Sequence, residues 1–270
     1  MREAESQAYS LLLRDLDHRN VVKAYDFFPD EQLGPHLVLE YVDGEELPQH
    51  VAGLRQEAYT EQAARDLFEQ VLEALAYLHG RSVVHRDIKP DNLLVEAATG
   101  RVVLIDFNVS RTYNPAVDQP MVESFVVHYS APEMCDEGTG YDEKVDVWAA
   151  GVVLYLLLSG HHPFTAPDDT DETVKTRICT QEPDYSPNRL PGVSDTALDL
   201  LQKTLTKDAR ARPSAAECLS HPWFRQPCAS KNNSTTNLVI LIDTSSNVRH
   251  GSPVDILPLT AAHDSIAKRI

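Results

Sequence analysis

The sequence predicts an α+β fold with a small sheet near its amino-terminal end and a larger, mainly helical remainder. Three observations lead there. Two short β-prone runs, Val21 to Phe28 and His36 to Val42, flank the polar Pro29-Asp30-Glu31-Gln32-Leu33-Gly34-Pro35 segment, which is the pattern of a hairpin. From Thr60 onward, Leu67, Phe68, Val71, Leu72, Leu75 and Leu78 share one helical face. Val145 to Leu158 is apolar nearly all round, which in a soluble protein marks a helix at the centre of a domain.

The remaining elements follow in chain order. Ala4, Ala8, Leu11, Leu12 and Leu16 recur at helical spacing, giving an amphipathic helix from Glu3 to Leu16 that ends at the polar Asp17-His18-Arg19-Asn20 turn. The helix opening at Thr60 is closed by Gly80 as its C-cap. Beyond the central helix, further helices are expected at Thr170 to Cys179, Ser194 to Thr204 with Ser194 capping, and Ser214 to Leu219, separated by Pro-rich loops. After Pro227 the polar Ala-Ser-Lys-Asn-Asn-Ser-Thr-Thr-Asn stretch reads as a linker, followed by a poorly ordered tail to Ile270.

Composition narrows the function classes. The 24 Lys+Arg against 41 Asp+Glu give a net charge of −17, which repels phosphate backbones and anionic lipid, so nucleic acid is not expected as a partner. The apolar stretch Val147 to Leu158 falls short of the roughly 20 residues a bilayer span needs, so no membrane helix is expected. Met1-Arg2-Glu3 and Glu5 do not form a secretory signal. Cys135, Cys179, Cys218 and Cys228 make no CxxC pair, which speaks against zinc and disulfide frameworks and for a reducing cytoplasmic or nuclear compartment.

The chemistry is concentrated in His85-Arg86-Asp87-Ile88-Lys89-Pro90-Asp91-Asn92, followed by Asp106-Phe107-Asn108 and then Ala131-Pro132-Glu133. In order and spacing these segments resemble the eukaryotic protein kinases, with their HRDxxxxN catalytic loop, DFG metal motif and APE segment. The resemblance runs from about Glu3 to Phe224 and implies a two-lobe kinase-like fold with a truncated β-rich N-lobe and a mainly helical C-lobe. It divides the chain into a partial N-lobe at 1–43, a C-lobe at 44–224, and a linker and tail at 225–270.

Phosphoryl transfer needs metal ions on the phosphates, a group that orients the attacking hydroxyl, and positive charge for the migrating phosphoryl. The resemblance implies ATP and Mg²⁺ as cofactors and a protein as substrate or partner. Asp87 matches the carboxylate that orients and deprotonates the hydroxyl, and Lys89 the ammonium on the transferring phosphate, as in Ser/Thr-directed members. Asn92 and Asp106 supply the hard oxygen ligands that suit Mg²⁺. Leu39 stands as the gatekeeper of the hinge, with Glu40 and Val42 offering backbone groups to adenine, Glu46 contacting the ribose and Leu94 forming the adenine floor. The same resemblance pairs Glu133 with Arg212, and has Asp146 anchoring the catalytic-loop backbone.

The pattern also departs from the family. The glycine-rich loop and strand lysine that hold the phosphates have no match: the one GxG is Gly138-Thr139-Gly140, and the one lysine before the hinge is Lys23. Tyr9, with Glu5 one turn earlier, stands where the lysine's glutamate partner is expected. Asn108 replaces the DFG glycine, and Phe125-Val126 replaces the usual Gly-Thr, removing the hydroxyl that bridges the positions of Asp87 and Lys89. The expectation is a serine/threonine kinase chain, amino-terminally incomplete and weakly active or inactive alone; the alternative is a pseudokinase scaffold that binds partners. Arg86 suggests control by an anion on the activation segment, with Ser110, Thr112, Tyr113 and Ser124 as acceptors and Glu123 as a partial substitute.

Overall fold

The computed structural model describes residues 13–28, 36–53, 59–114, 118, 121, 128–135 and 140–225. The expectations for Glu5, Tyr9, the 29–35 loop, Glu123, Ser124, Phe125, Val126, Gly138, Thr139 and the tail from 226 lie outside these residues, as does the predicted first helix up to residue 12. Its last turn is represented by Leu13 and Leu16, both buried in the core.

The predicted hairpin forms, with narrower bounds. Strand β1 (Ala24–Phe28) pairs antiparallel with β2 (His36–Leu39), from Phe28 opposite His36 to Ala24 opposite Leu39, with a bulge between Ala24 and Asp26. Val21 and Val22 do not join it. They turn toward the main body, where Val22 N–H donates to the Leu104 carbonyl (3.0 Å) and Leu104 N–H to that of Asn20 (2.9 Å). Buried Asn20 locks this crossing, its Nδ2 donating to the Val102 carbonyl (2.7 Å) and to Gln70 Oε1 (3.0 Å). At the other end, the chain leaves the ladder after Leu39 and bends at Gly44, where a Cβ would lie 2.8 Å from the Val95 carbonyl oxygen.

Short strands frame the region between hairpin and helices. β3 (Glu45–Glu46), β5 (Leu93–Val95) and β6 (Val102–Leu104) form an antiparallel sheet in the order β3-β5-β6. β4 (Val83–Val84) pairs with β7 (Arg111–Thr112). Helix α1 (Leu47–Gly53), with Pro48 in its first turn, was not anticipated, because seven residues are too few to display a 3.6-residue period.

The helical remainder matches the pattern closely. α2 (Glu61–His79) buries Leu67, Phe68, Val71, Leu72, Leu75 and Leu78, the face read from the sequence. Thr60 caps it by accepting from Ala63 N–H, worth about 1 kcal/mol. Gly80 closes it in right-handed geometry (φ −63°), and the left-handed residue that turns the chain is Ser82 (φ 59°). α3 (Lys144–Ser159) is the central helix, with every residue but Lys144 and Leu156 buried. α4 (Asp171–Thr180), α5 (Asp195–Thr204) and α6 (Ala215–Leu219) start at the side-chain caps Thr170, Ser194 and Ser214, the last completed as a capping box by Glu217. A 3₁₀ turn at Pro222–Arg225 brings Trp223 under α2, where its indole N–H donates to Glu61 (2.8 Å), which also accepts from the Ser194 amide (2.8 Å) and hydroxyl (2.7 Å). Among the described residues no helix is long and apolar enough to cross a membrane.

One loop is expected to make stability acid-sensitive. His162, after α3, donates through Nε2 to the His128 carbonyl (3.0 Å) and accepts at Nδ1 from Phe164 N–H (3.2 Å), so the neutral ring satisfies both nitrogens. Burial first, then the nearby His128, pushes its pKa down to about 3. A folded pKa below the unfolded value means stability is fully present above about pH 6.5 and lost as pH falls from there toward 3, by up to ~1.4 kcal/mol per pH unit. Urea titrations between pH 7 and 4 are expected to show this decline and to find it shallower in His162→Gln. Equal slopes in the two proteins would contradict the assignment.

Candidate active site

The site is built on the loop 85–92 between β4 and β5, held from beneath by one buried carboxylate. Asp146, in the first turn of α3, accepts the backbone N–H groups of His85 (2.8 Å) and Arg86 (2.7 Å), as the sequence led us to expect. It also meets His79 Nε2 at 2.9 Å, a partner that no sequence pattern announced. Burial alone would raise this carboxyl. The His79 hydrogen bond and charge, with His85 and its amide, outweigh that and hold it below the usual carboxylate range.

His85 couples two segments. Fully buried, it places Nε2 3.1 Å from the Ile105 carbonyl and accepts the Asp87 amide at Nδ1 (3.3 Å), a network satisfied by the neutral Nε2–H form. Desolvation lowers its pKa, which favours that form. Its ring also meets the Phe107 ring edge-on at 4.6 Å. Arg86 adopts a left-handed backbone (φ 69°) and donates from Nε to the Val109 carbonyl (2.6 Å) and from Nη1 to the Tyr141 hydroxyl (3.3 Å). These contacts tie Arg86 to the segment that follows Asp106 and to Tyr141. Of the acceptors expected on this segment, Ser110 donates its hydroxyl to the His85 carbonyl (3.2 Å), Tyr113 is buried, and Thr112 is exposed on β7.

Asp87, Lys89 and Asn92 converge. Asp87 Oδ2 accepts from Lys89 Nζ (2.7 Å) and from Asn92 Nδ2 (2.8 Å), and Asn92 Nδ2 also donates to the Asp87 carbonyl (2.7 Å). With its nitrogen committed to two acceptors, the Asn92 amide turns Oδ1 to the opposite side. Asp106 lies beside it in the fold, because Ile105 N–H donates to the Asn92 carbonyl (3.0 Å) in continuation of the β5–β6 ladder. Asp106 takes φ 60°, and its Oδ1 accepts from Asn108 N–H (3.2 Å). The left-handed residue of this motif is therefore Asp106, and Asn108 sits where no glycine is required.

The residues read as the hinge have mixed placements. Leu39 ends β2 and packs on the core, and Val42 is buried. Glu40 donates its N–H to the Lys23 carbonyl (2.7 Å), while its carboxylate binds Arg101 Nη1 (2.7 Å) and the Lys23 amide (3.3 Å). Arg101 goes on to Glu96 (2.9 Å) and the Arg19 carbonyl (2.7 Å), a network the sequence reading missed. Glu46 and Leu94, read separately from sequence, face each other across β3 and β5. Burial, then the charge of Asp91, raises the Glu46 carboxyl.

Beneath the site, Arg212 and Glu133 form the expected ion pair in bidentate geometry (2.7 and 3.0 Å), with the Arg212 side chain fully buried. Among the described residues no group of three or more His, Cys, Asp or Glu side chains is arranged to hold a metal ion. A cation here would rest on the Asn92 amide and Asp106 carboxylate with waters, the sparse oxygen set that suits Mg²⁺.

A loop anchored by a buried central-helix aspartate thus carries an Asp-Lys-Asn cluster beside a second aspartate. The model of the protein kinase domain matches residues 4–224, and the chain belongs to that family. It is 35% identical over 215 residues to calcium/calmodulin-dependent protein kinase type 1 of Caenorhabditis elegans, covering 79% of this chain and 60% of that protein. It is 35% identical over 223 residues to myosin light chain kinase 2 of skeletal and cardiac muscle from Bos taurus (79% and 33%), and 34% identical over 242 residues to calcium-dependent protein kinase 4 of Plasmodium berghei (88% and 44%). The chain thus spans less than two thirds of the length of these relatives.

Proposed function

We propose that this chain carries the machinery of a protein serine/threonine kinase, transferring the γ-phosphoryl of ATP to a hydroxyl of a protein substrate. The observation that carries the reading is the convergence of Lys89 and Asn92 on one oxygen of Asp87, next to Asp106. Asp87 orients the substrate hydroxyl and takes its proton as the bond to phosphorus forms. Lys89, held directly on Asp87, offers its ammonium to the phosphoryl in transit. Asn92 Oδ1 and Asp106 would hold Mg²⁺, which supplies charge neutralisation on the phosphate oxygens. Leu39, Glu40, Val42 and Leu94 receive adenine, and Glu46 the ribose.

The family's glycine-rich loop and strand lysine, which position the phosphates, have no match among these 270 residues. The absence of a CxxC pair supports a cytoplasmic setting. The test is calorimetric titration of the chain with Mg-ATP, beside Asp106→Ala. Saturable binding lost in the variant is the expected result. A cooperatively folded chain with no binding would overturn the ATP-dependent reading and favour a scaffold that engages partners.

A further inference from the structure

One guanidinium joins three separate segments beside the site. Arg101, the residue before β6, donates from Nη1 to the carboxylates of Glu40 (2.7 Å) and Glu96 (2.9 Å), and from Nε to the Arg19 carbonyl (2.7 Å). Its side chain is 20% exposed and the two carboxylates 18% each, so these pairs are screened by salt less than surface pairs are. The Glu40 hydrogen bond leads the influences that raise the Arg101 pKa, and it outweighs burial.

The position of this clamp gives it a lever. Glu96 and Arg101 close the turn between β5 and β6, the Glu96 N–H donating to the Arg101 carbonyl (3.0 Å). Gln70 of α2 grips the same turn, donating to the Gly100 carbonyl (2.9 Å) and accepting the Val102 N–H (3.0 Å). From there the two strands lead to the residues that would hold Mg²⁺: Asn92 directly precedes β5, and Asp106 follows β6 after Ile105. A rise of about 3.3 Å per residue puts Glu96 about 13 Å along the strand from Asn92. The other end of the clamp is Glu40, the first residue of the segment that receives adenine. Without the guanidinium, the Glu40 and Glu96 carboxylates face each other across the space it fills, and their like charges push the two segments apart.

We infer that Arg101 is a positioning residue for the nucleotide: it sets the span between the adenine-receiving segment at Glu40 and the Asn92–Asp106 pair, so that one ATP molecule reaches both. The inference rests on the ATP reading of the site. Arg101 acts through Glu40 and the β5–β6 turn, and its effect is therefore on distance. A ligand that engages two places at once gains from their correct separation, because its first contact presents the second at a high effective concentration. A ligand that engages only one of them is indifferent to that separation.

The test titrates the full chain and Arg101→Ala with Mg-ATP and, separately, with adenosine, which carries the base and ribose alone. Mg-ATP is expected to bind about tenfold more weakly to the variant, and adenosine to change by less than about twofold. The exchanged pair Glu40→Arg/Arg101→Glu is expected to recover most of the Mg-ATP loss, because the same span is bridged with the charges reversed. Equal losses for the two ligands would mark a general disturbance of the fold and overturn the inference, as would an unchanged Mg-ATP affinity in Arg101→Ala. Should Arg101→Ala fail to fold, Arg101→Lys, which keeps the charge without the planar fork, gives the same comparison. A folded wild-type chain that binds no Mg-ATP would overturn the ATP reading and this inference with it, whereas wild-type binding that the variant retains in full overturns this inference alone.

Discussion

Arg212→Ala is expected to cost about 3–5 kcal/mol of folding stability, a large share of the 5–15 kcal/mol typical of a domain. The Arg212 side chain has no solvent exposure, and its guanidinium lies 5.0 Å from the Trp148 ring centroid. Besides both Glu133 oxygens it binds the carbonyls of Thr206 (3.0 Å), Lys144 (3.0 Å) and Lys207 (3.4 Å). Truncation strands a carboxylate and three carbonyls at once, and a buried acceptor without a donor costs about 1–3 kcal/mol. The double variant Glu133→Ala/Arg212→Ala should lose less than the sum of the singles, because the second change removes the stranded charge. Chemical denaturation measures both, and a single-variant cost below about 1 kcal/mol would refute the account.

Asp146→Ala is the second large change. It leaves the His85 and Arg86 amides without their acceptor, along with His79, so a loss on the order of 3 kcal/mol is expected. The wild-type carboxyl is held below its usual range, so its contribution is present above about pH 4 and fades as pH drops through the folded value; the variant's acid limb should be shallower. Hydrogen exchange at these two amides gives a local readout. Strong protection in the wild type and faster exchange in the variant are expected, and unchanged exchange would show that the loop does not hang on Asp146.

Much of this was legible in the sequence because it was written in local terms. The faces of α2 and α3 follow from apolar periodicity, and Thr60, Ser194 and Ser214 stand at caps because a hydroxyl there satisfies an amide three residues on. Asp87, Lys89 and Asn92 lie within one turn of chain, so their convergence needs little beyond a tight loop. Contacts set by long-range closure were not legible. His79 reaches Asp146 across 67 positions, Glu40 reaches Arg101 across 61, and Trp223 reaches Glu61 across 162, and none has a spacing rule. Val21 and Val22 read as strand because they are β-branched, yet Val21 bridges Leu104 and the Val22 N–H donates to the Leu104 carbonyl, on β6 and away from the hairpin, a choice between partners that propensity does not record.

The placement of His85 has a mechanical side. One rigid five-membered ring joins the Asp87 amide to the carbonyl just before Asp106, and the neutral Nε2–H ring fills both bonds. The segments that carry the two aspartates are thereby fastened to one ring, which fixes one against the other. Tolerance in the surrounding loops need not become error at the centre.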